Sequence, residues 1–269
     1  MHYGCQPGGQ VNFTSIRIAD HALIRTITLH RPERRNAITP DMQKELIAAL
    51  EDTARSTARV LVLTGADDAF CSGLDINVLK TMNSETAPEY RANMERIARL
   101  FLALFELPIP TIAAVHGPAV AGGAGLAIIS DFTLATPEAK FGFTEIRIGF
   151  VPALVSAFLQ LQIGGKQARD LLLTGRVIGA DEAYRMGLVT EIVPQPELAA
   201  RVQQLAEMLI ANSPQALSRT KRLLATHWRP WLDAAIEAGL TASSEARETA
   251  DFREGVAAFL EKRKPVWSK

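Results

Sequence analysis

Short apolar runs rich in β-branched residues alternate along this chain with longer segments in which apolar positions recur every three or four residues. The first pattern predicts strands and the second predicts helices. The predicted strands are at residues 16–18, 23–29, 60–64, 111–115, 132–135 and 189–193. Such alternation is typical of an α/β fold in which right-handed connections join parallel strands.

Two helices can be placed more closely. Thr39 followed by Pro40 is a favourable helix start, because proline suits the first helical position. Residues 89–106 form a longer amphipathic pattern, which predicts a helix that either walls a pocket or presents an ordinary core face. From residue 196 onwards the pattern is mainly helical. Its apolar positions could pack within the chain or between subunits, and they are Leu232, Ile236, Leu240, Val256 and Phe259.

The same pattern divides the chain into three regions. Residues 1–10 are Gly-rich and polar, without the apolar core of a signal peptide or the arginines of a transit peptide, and predict a disordered leader. Residues 11–195 predict an α/β core, and residues 196–269 a helical C-terminal region. The longest apolar stretches are too short and too interrupted to cross a bilayer, so we expect a cytoplasmic protein with no membrane partner.

Composition narrows the possible partners. The 269 residues are 48% hydrophobic and can bury a substantial core. The 29 basic and 29 acidic residues balance, so no net field favours nucleic acid. Cys5 and Cys71 are the only cysteines, and neither they nor the five histidines show metal-ligand spacing. We therefore expect no structural disulfide, no metal site and a reducing compartment.

Two glycine-flanked turns, at residues 70–76 and 116–125, carry the clearest chemical signal. Each follows a predicted strand and leads into a helix-like segment, so each can aim unpaired backbone N–H groups at a common point. Two such donors suit the developing oxyanion of a thioester enolate. The alternative is that the glycines only allow sharp connections and close helix packing.

Together with these turns, further motifs occur in order at residues 30–38, 141–145, 180–189 and 254–265. The series resembles the enoyl-CoA hydratase/isomerase (crotonase) family from about residue 16 to residue 267. The resemblance implies a spiral of ββα repeats followed by a helical region that builds trimers, often paired into hexamers. It also implies an acyl-CoA substrate, with coenzyme A as part of that substrate and no separate cofactor.

The resemblance also implies roles for particular residues. The backbone N–H groups of Leu74 and Gly122 correspond to the oxyanion donors, and Glu145 to the catalytic glutamate. The apolar neighbours of Glu145 are expected to raise its pKa towards neutrality, which suits a group that takes and returns a proton. The residues implied to bind the substrate, the last two often supplied by a neighbouring subunit, are Arg34, Arg35, Ser72, Asp75, Ile76, Gly123, Phe259 and Lys262.

The chain departs from the family pattern at Gly125, where hydratases usually carry a second glutamate. Ala153 likewise stands where some specialised relatives place an acid. With Glu145 alone, hydration needs another way to hold the water: a backbone carbonyl, a hydroxyl such as that of Thr144, or an ordered water in the space left by Gly125.

Three functions remain open on this evidence. We expect hydration of a 2-enoyl-CoA first, because residues 144–156 look more like hydratases, including methylglutaconyl-CoA hydratase-like members. Double-bond isomerisation by one base is second, and acyl-CoA binding with little turnover is third. A Clp-type serine peptidase is disfavoured because residues 121–125 hold no serine. The glycines there do not form a dinucleotide-binding fingerprint either.

Overall fold

The computed structural model describes residues 13–82 and 84–268, so the predicted leader and Cys5 lie outside the described residues. The strands in the described ranges are β1 (Ile16–His21), β2 (Ile24–Leu29), β3 (Val60–Gly65), β4 (Thr111–Val115), β5 (Pro118–Val120), β6 (Phe132–Ala135), β7 (Lys140–Gly142), β8 (Val177–Gly179) and β9 (Glu191–Ile192). The helices there are α1 (Pro40–Arg55), α2 (Ile76–Met82), α3 (Ala87–Phe105), α4 (Gly122–Ile129), α5 (Ala153–Thr174), α6 (Ala180–Met186), α7 (Leu198–Ile210), α8 (Pro214–Arg247) and α9 (Ala250–Glu261). Short 3-10 helices lie at Pro32–Arg34, Glu145–Ile148 and Gln195–Glu197.

The strands form two sheets. The main sheet has the order β1-β2-β3-β4-β6-β9, in which β1 is antiparallel to β2 and all other neighbours are parallel. The smaller sheet has the order β5-β7-β8. Parallel neighbours joined through helices confirm the α/β class expected from the alternating pattern.

Successive turns of the chain repeat one arrangement. In two of them a main-sheet strand is followed by a strand of the small sheet and then by a helix, as β4-β5-α4 and β6-β7-α5. Earlier turns extend the small layer through single bridges, Cys71 with Ala119 and Ile38 with Leu74. The result is the stacked ββα spiral that the family resemblance implied.

The predicted elements agree with the structure where their local signal is strong. Strands β4 and β6 span the predicted residues, whereas β9 covers only part of its predicted run. Helix α1 starts where expected, because the Thr39 hydroxyl accepts a hydrogen bond from the Met42 N–H at 3.1 Å. The strands β5, β7 and β8, each of three residues, were not predicted from the sequence pattern.

The apolar positions of the C-terminal region are mostly used inside the chain. Leu232, Ile236, Leu240 and Val256 are buried in the same hydrophobic core as the main sheet. Phe259 differs, because about half of it is exposed. Helices α8 and α9 therefore close the core rather than forming a separate layer. None of the helices in the described ranges is long and apolar enough to cross a membrane.

Candidate active site

A cavity of about 360 Å³ lies between the spiral core and the C-terminal helix α9. Its walls come from the 3-10 helix Pro32–Arg34, from α1, α2 and α3, from the start of α4, from residues 144–155 and from Phe259. Exposed Arg34 and Arg35 mark its mouth, whereas Leu100 and Phe101 are almost fully buried. The cavity thus runs from a charged entrance to an apolar interior.

Three successive repeats bring the predicted catalytic groups to this cavity. Leu74, Gly122 and Glu145 each follow the small-sheet segment of their own repeat, and all three line the cavity. The segments are joined side by side: the Val120 N–H donates to the Cys71 carbonyl at 2.9 Å, and the Ala121 N–H donates to the Gly142 carbonyl at 2.7 Å. Groups far apart in sequence therefore converge because their repeats stack.

Both proposed oxyanion donors have unused N–H groups within the described part of the chain. On either side of Leu74, the Ile38 N–H donates to the Gly73 carbonyl and the Asp75 N–H donates to the Ile38 carbonyl, while the Leu74 N–H itself has no protein acceptor. Gly122 is the first residue of α4, so its N–H has no intrahelical acceptor and lies at the positive end of the helix dipole. Both N–H groups are therefore available to a ligand in the cavity that Leu74 and Gly122 line.

A strained residue precedes the second donor. Ala121 adopts φ +50° and ψ −124°, a conformation that residues with a Cβ rarely take. Its N–H is held by Gly142 at 2.7 Å, and the chain turns into α4 at the next residue. The surrounding hydrogen bonds thus hold a backbone geometry that presents the Gly122 N–H at the cavity wall.

Glu145 supplies the titratable group of the site. Its Oε2 atom is buried and has no hydrogen-bond partner among the described residues. Burial raises the pKa of Glu145 to about 7, against a smaller lowering effect of its own backbone N–H. Of its apolar neighbours in sequence, Phe143 and Phe150 are buried, and Phe150 lines the cavity with Glu145, whereas Ile146 is exposed. A carboxyl in this state can both accept and release a proton near neutral pH.

The place of the missing second acid is filled. A Cβ added at Gly125 would lie 2.8 Å from the Phe101 Cζ and 3.3 Å from the Val155 Cγ2. The idea that Gly125 leaves space for an ordered water is therefore wrong, because the Phe101 ring occupies that space. Phe101 is itself held edge-to-face by Phe158, with ring centroids 5.9 Å apart.

Sequence analysis did not single out Phe101. The only signal was the amphipathic face of residues 89–106, which left a pocket wall and a core face as alternatives. Helix α3 forms both a pocket wall and a core face. Other residues of the helix pack into the core, and those that line the cavity are Met94, Ile97, Leu100 and Phe101.

The predicted phosphate contacts lie at the mouth. Arg34 and Arg35 are exposed, and no carboxylate in the described part of the chain pairs with either guanidinium. Ser72 holds their loop, since its N–H donates to the Arg35 carbonyl at 3.0 Å and its hydroxyl to the Arg34 carbonyl at 3.3 Å. Two free guanidinium groups at an entrance suit an anionic ligand such as a phosphate.

Asp75 and Ile76 also line the cavity, but Asp75 has a structural engagement. Its Oδ2 accepts from Arg31 at 2.8 Å and its Oδ1 accepts from the Asn77 N–H at 2.8 Å. Burial alone would raise the pKa of Asp75, but the hydrogen bonds from Asn77 and Arg31 hold it below its usual value. Its carboxylate thus fastens the loop that carries Leu74.

Two predicted substrate contacts lie elsewhere. Gly123 faces Cys71 rather than the cavity, and a Cβ there would lie 2.4 Å from the Cys71 carbonyl oxygen. Cys71 is a free, buried thiol whose pKa burial raises to about 12. Lys262 is exposed at the end of α9, whereas Phe259 on the same helix does line the cavity. Within the described ranges, no cluster of three or more His, Cys, Asp or Glu side chains could hold a metal ion.

Comparisons with known proteins point in one direction. A family model described as enoyl-CoA hydratase/isomerase matches residues 20–269. The chain is 42% identical over 243 residues to a Thermus thermophilus protein whose name places it among the enoyl-CoA hydratases, covering 90% of this chain and 96% of the relative. It is 34% identical over 248 residues to the 1,2-epoxyphenylacetyl-CoA isomerase of Escherichia coli, covering 91% and 95%.

A solved structure agrees with the architecture. The crystal structure of an enoyl-CoA hydratase from Mycobacterium avium subsp. paratuberculosis matches with a TM-score of 0.85 at 26% identity, covering 96% of this chain and all of the other. The spiral core and the C-terminal helices are thus the same fold in both proteins.

Proposed function

Since this chain belongs to the enoyl-CoA hydratase/isomerase family, we propose that it adds water across the double bond of a 2-enoyl-CoA thioester. One observation carries the proposal. The buried, unpartnered Oε2 of Glu145 shares a cavity with the unused N–H groups of Leu74 and Gly122. An acid–base group and a pair of oxyanion donors are what addition through a thioester enolate requires.

In the proposed reaction the Glu145 carboxylate takes a proton from water as the water oxygen attacks C3. Negative charge develops on the thioester oxygen, where the N–H groups of Leu74 and Gly122 stabilise it. The protonated Glu145 then returns a proton to C2, which restores the carboxylate. A pKa of about 7 supports this role, because carboxylate and carboxylic acid coexist near neutral pH.

A specific observation favours isomerisation as the second candidate. Phe101 fills the place in which a second acid could hold water, so the attacking water has fewer polar partners. In isomerisation Glu145 would remove a proton from C2 of a 3-enoyl-CoA and deliver it to C4, and no water is needed. The E. coli relative is named as an isomerase of a different CoA thioester, an epoxide, at 34% identity.

Binding of acyl-CoA without turnover is the third candidate function, and the buried carboxyl of Glu145 disfavours it. A buried carboxyl without a partner costs stability, so a binding protein would gain by replacing it with a neutral side chain. Its presence in the cavity supports a reaction that uses it.

Product analysis separates these candidates. The enzyme would be incubated in ¹⁸O-labelled water with crotonyl-CoA and, separately, with 3-hexenoyl-CoA, and the products followed by mass spectrometry. A hydroxyacyl product carrying ¹⁸O supports hydration. A 2-enoyl product without added oxygen from the second substrate would make the protein an isomerase, and no product from either would favour binding alone.

Glu145→Gln is the matched control, because it keeps the size of the side chain and removes its proton chemistry. We expect turnover to fall at least about 100-fold, as is usual for loss of an acid–base group. Affinity for acyl-CoA should stay within about tenfold, since the change leaves the cavity walls intact. A variant that kept more than a tenth of the activity would contradict the role of Glu145.

The coenzyme A part of the substrate is proposed to enter past Arg34 and Arg35, and Phe259 of α9 also lines the cavity. Exposed, unpaired guanidinium groups support phosphate binding there. No other cofactor is proposed. Lys262 stays a predicted contact that a neighbouring subunit could supply.

Self-association is a further part of the proposal. Helix α8 carries exposed apolar side chains at Leu224, Trp228 and Trp231, which share one face of the helix. Such a stripe supports a homotrimer or hexamer, because large exposed apolar patches commonly mark interfaces. A cytoplasmic location stays a prediction.

A further inference from the structure

Building on the proposed function, we propose that the inner half of the cavity selects uncharged, apolar acyl groups and rejects acyl groups that end in a carboxylate. The proposal concerns the acyl group rather than the thioester chemistry. The positions of the charged side chains in the cavity and the apolar composition of its inner wall support this selectivity.

The charged side chains of the cavity lie away from its inner end. Among the described lining residues they are Arg34, Arg35, Asp75 and Glu145. The two arginines are exposed at the mouth, and the Asp75 carboxylate forms a salt bridge with Arg31. Glu145 carries no positive charge in either of its protonation states. None of the four can therefore neutralise an anion at the inner end.

The inner wall is apolar. It is formed by α2, α3 and the start of α5, and its side chains are less than a tenth exposed. These are Leu79, Met94, Leu100, Phe101, Leu154 and Val155. Because Phe101 is fixed between Gly125 and Phe158, the wall has little freedom to open towards water.

Two cations of α3 are paired with carboxylates on other helices. On α3, Arg91 pairs with Glu237 of α8, and Arg99 pairs with Glu51 of α1. Neither arginine lines the cavity. The helix that supplies half of these inner-wall residues thus directs the Arg91 and Arg99 guanidinium groups to its outer faces.

Arg96, also on α3, lies next to the Gln43 amide, which lines the cavity. Its Nη1 donates to the Asn93 Oδ1 at 2.9 Å and lies 3.5 Å from the Gln43 Oε1. Gln43 is buried and lines the cavity, whereas Arg96 does not. The acyl group therefore meets a neutral amide at this point and not a cation.

These features set the expected preference. A terminal methyl group gains free energy when it leaves water for this wall. A terminal carboxylate loses its hydration and finds no opposite charge, which is costly in a site of low polarity. A short dicarboxylic acyl group should bind much more weakly than a monocarboxylic one of the same length.

The test compares pentanoyl-CoA with glutaryl-CoA, which have the same five-carbon chain and differ only in a terminal methyl or carboxylate. Calorimetry on the wild-type protein should give at least about tenfold weaker binding of glutaryl-CoA. A smaller difference, or tighter binding of glutaryl-CoA, overturns the inference. The ligands are unreactive in hydration and isomerisation, so the result does not depend on which reaction the enzyme performs.

Turnover of 2-pentenoyl-CoA against glutaconyl-CoA repeats the comparison with reactive substrates, and kcat/KM should fall by at least about tenfold. If both were turned over equally well, the proposed function would stand and this inference would fail. If the protein neither bound nor converted any of the four thioesters, the proposed function itself would be refuted.

A substitution tests the cause. Ile97 lines the cavity and is partly exposed, so a longer polar side chain can be accommodated there. Ile97→Arg should shift the ratio of affinities towards glutaryl-CoA by about tenfold, whereas the matched control Ile97→Met should leave it unchanged. An unchanged ratio in a folded Ile97→Arg variant, or an equal shift in both variants, contradicts the explanation. If the arginine variant does not fold, the comparison of pentanoyl-CoA and glutaryl-CoA binding to the wild-type protein still tests the inference.

Discussion

Glu145 makes the stability of the protein depend on pH. Its pKa rises from 4.5 to about 7 on folding. Between these values the folded protein holds a proton that the unfolded chain has released, so stability falls as pH rises through this window and levels off above about 7. The loss amounts to about 3 kcal/mol, from roughly 1.4 kcal/mol for each pH unit.

Comparison with Glu145→Gln isolates this effect, because all other titrating groups are shared. The free energy of unfolding of the variant, relative to the wild type, should increase by about 2.5 kcal/mol between pH values of about 5 and 8. Urea unfolding at both pH values measures it. A difference that did not change with pH would show that the carboxyl is not buried as described.

Stability measurements on point variants can also test the contact between Gly125 and Phe101. Gly125→Ala should cost about 1–3 kcal/mol, because the new methyl group meets a ring that is already packed on its other side. Gly179→Ala is the control, since a Cβ there meets nothing within 4 Å. Denaturant unfolding checks both.

Shortening the opposing side chain provides the second half of that experiment. In a Phe101→Leu background the cost of Gly125→Ala should shrink, because the ring edge that the methyl group meets is gone. Equal costs in both backgrounds would mean that Phe101 does not fill the place at Gly125.

At the scale of elements, local pattern and long-range pairing contributed differently. Strands β4 and β6 were placed correctly because each is a short run of mostly apolar and β-branched residues. Strands β5 and β7 were missed because three residues hold too little periodicity, and they exist only through pairing with neighbours far along the chain. The same difference between local pattern and long-range packing applies to the site. Glu145 was predicted from its motif, whereas the contact of Phe101 with Gly125 depends on the packing of α3 on α4.

Arg247 of α8 fastens the segment between α2 and α3. Its Nε donates to the Met82 carbonyl at 2.8 Å, its Nη2 donates to the Glu85 carbonyl, and its guanidinium lies 4.9 Å from the Tyr90 ring centroid. Helix α2 also supplies Leu79 to the inner wall of the cavity. The position of that wall therefore depends on a residue outside the cavity.

Arg247→Ala should loosen α2 without touching the reacting groups. We expect KM for an acyl-CoA substrate to rise by at least about threefold while kcat stays within about twofold, the pattern of lost binding rather than lost chemistry. Arg253→Ala is the control, since Arg253 donates only to the nearby Glu248 carbonyl among the described residues. A fall in kcat at constant KM would instead place Arg247 among the groups that act in the chemical step.

At the scale of the whole molecule, the C-terminal region divides its apolar residues between two uses. Sequence could not separate these uses, because burial within a chain and burial between chains select the same side chains. The structure assigns Leu232 and Ile236 to the core and leaves Leu224 and Trp228 exposed. The stripe on α8 is thus exposed apolar surface within this region, and it is the surface proposed to contact another subunit.

Leu224→Asp tests self-association, because a charge in the stripe disfavours its burial against a second copy. Light scattering coupled to size exclusion should report a smaller particle for this variant than for the wild type. Leu173→Asp is the control, since it replaces another exposed leucine on a different helix. Equal masses for all three proteins would count against the stripe as an interface.

The filled place at Gly125 also has a stereochemical consequence. Among the described lining residues, Glu145 is the one carboxyl left unpaired in the cavity, and Phe101 stands where a second acid would be. A single carboxyl that deprotonates water and then protonates C2 works from one side of a planar enoyl group. Oxygen and hydrogen would therefore join the same face in a syn addition, and the handedness of the new alcohol would be decided by which face the cavity turns towards Glu145.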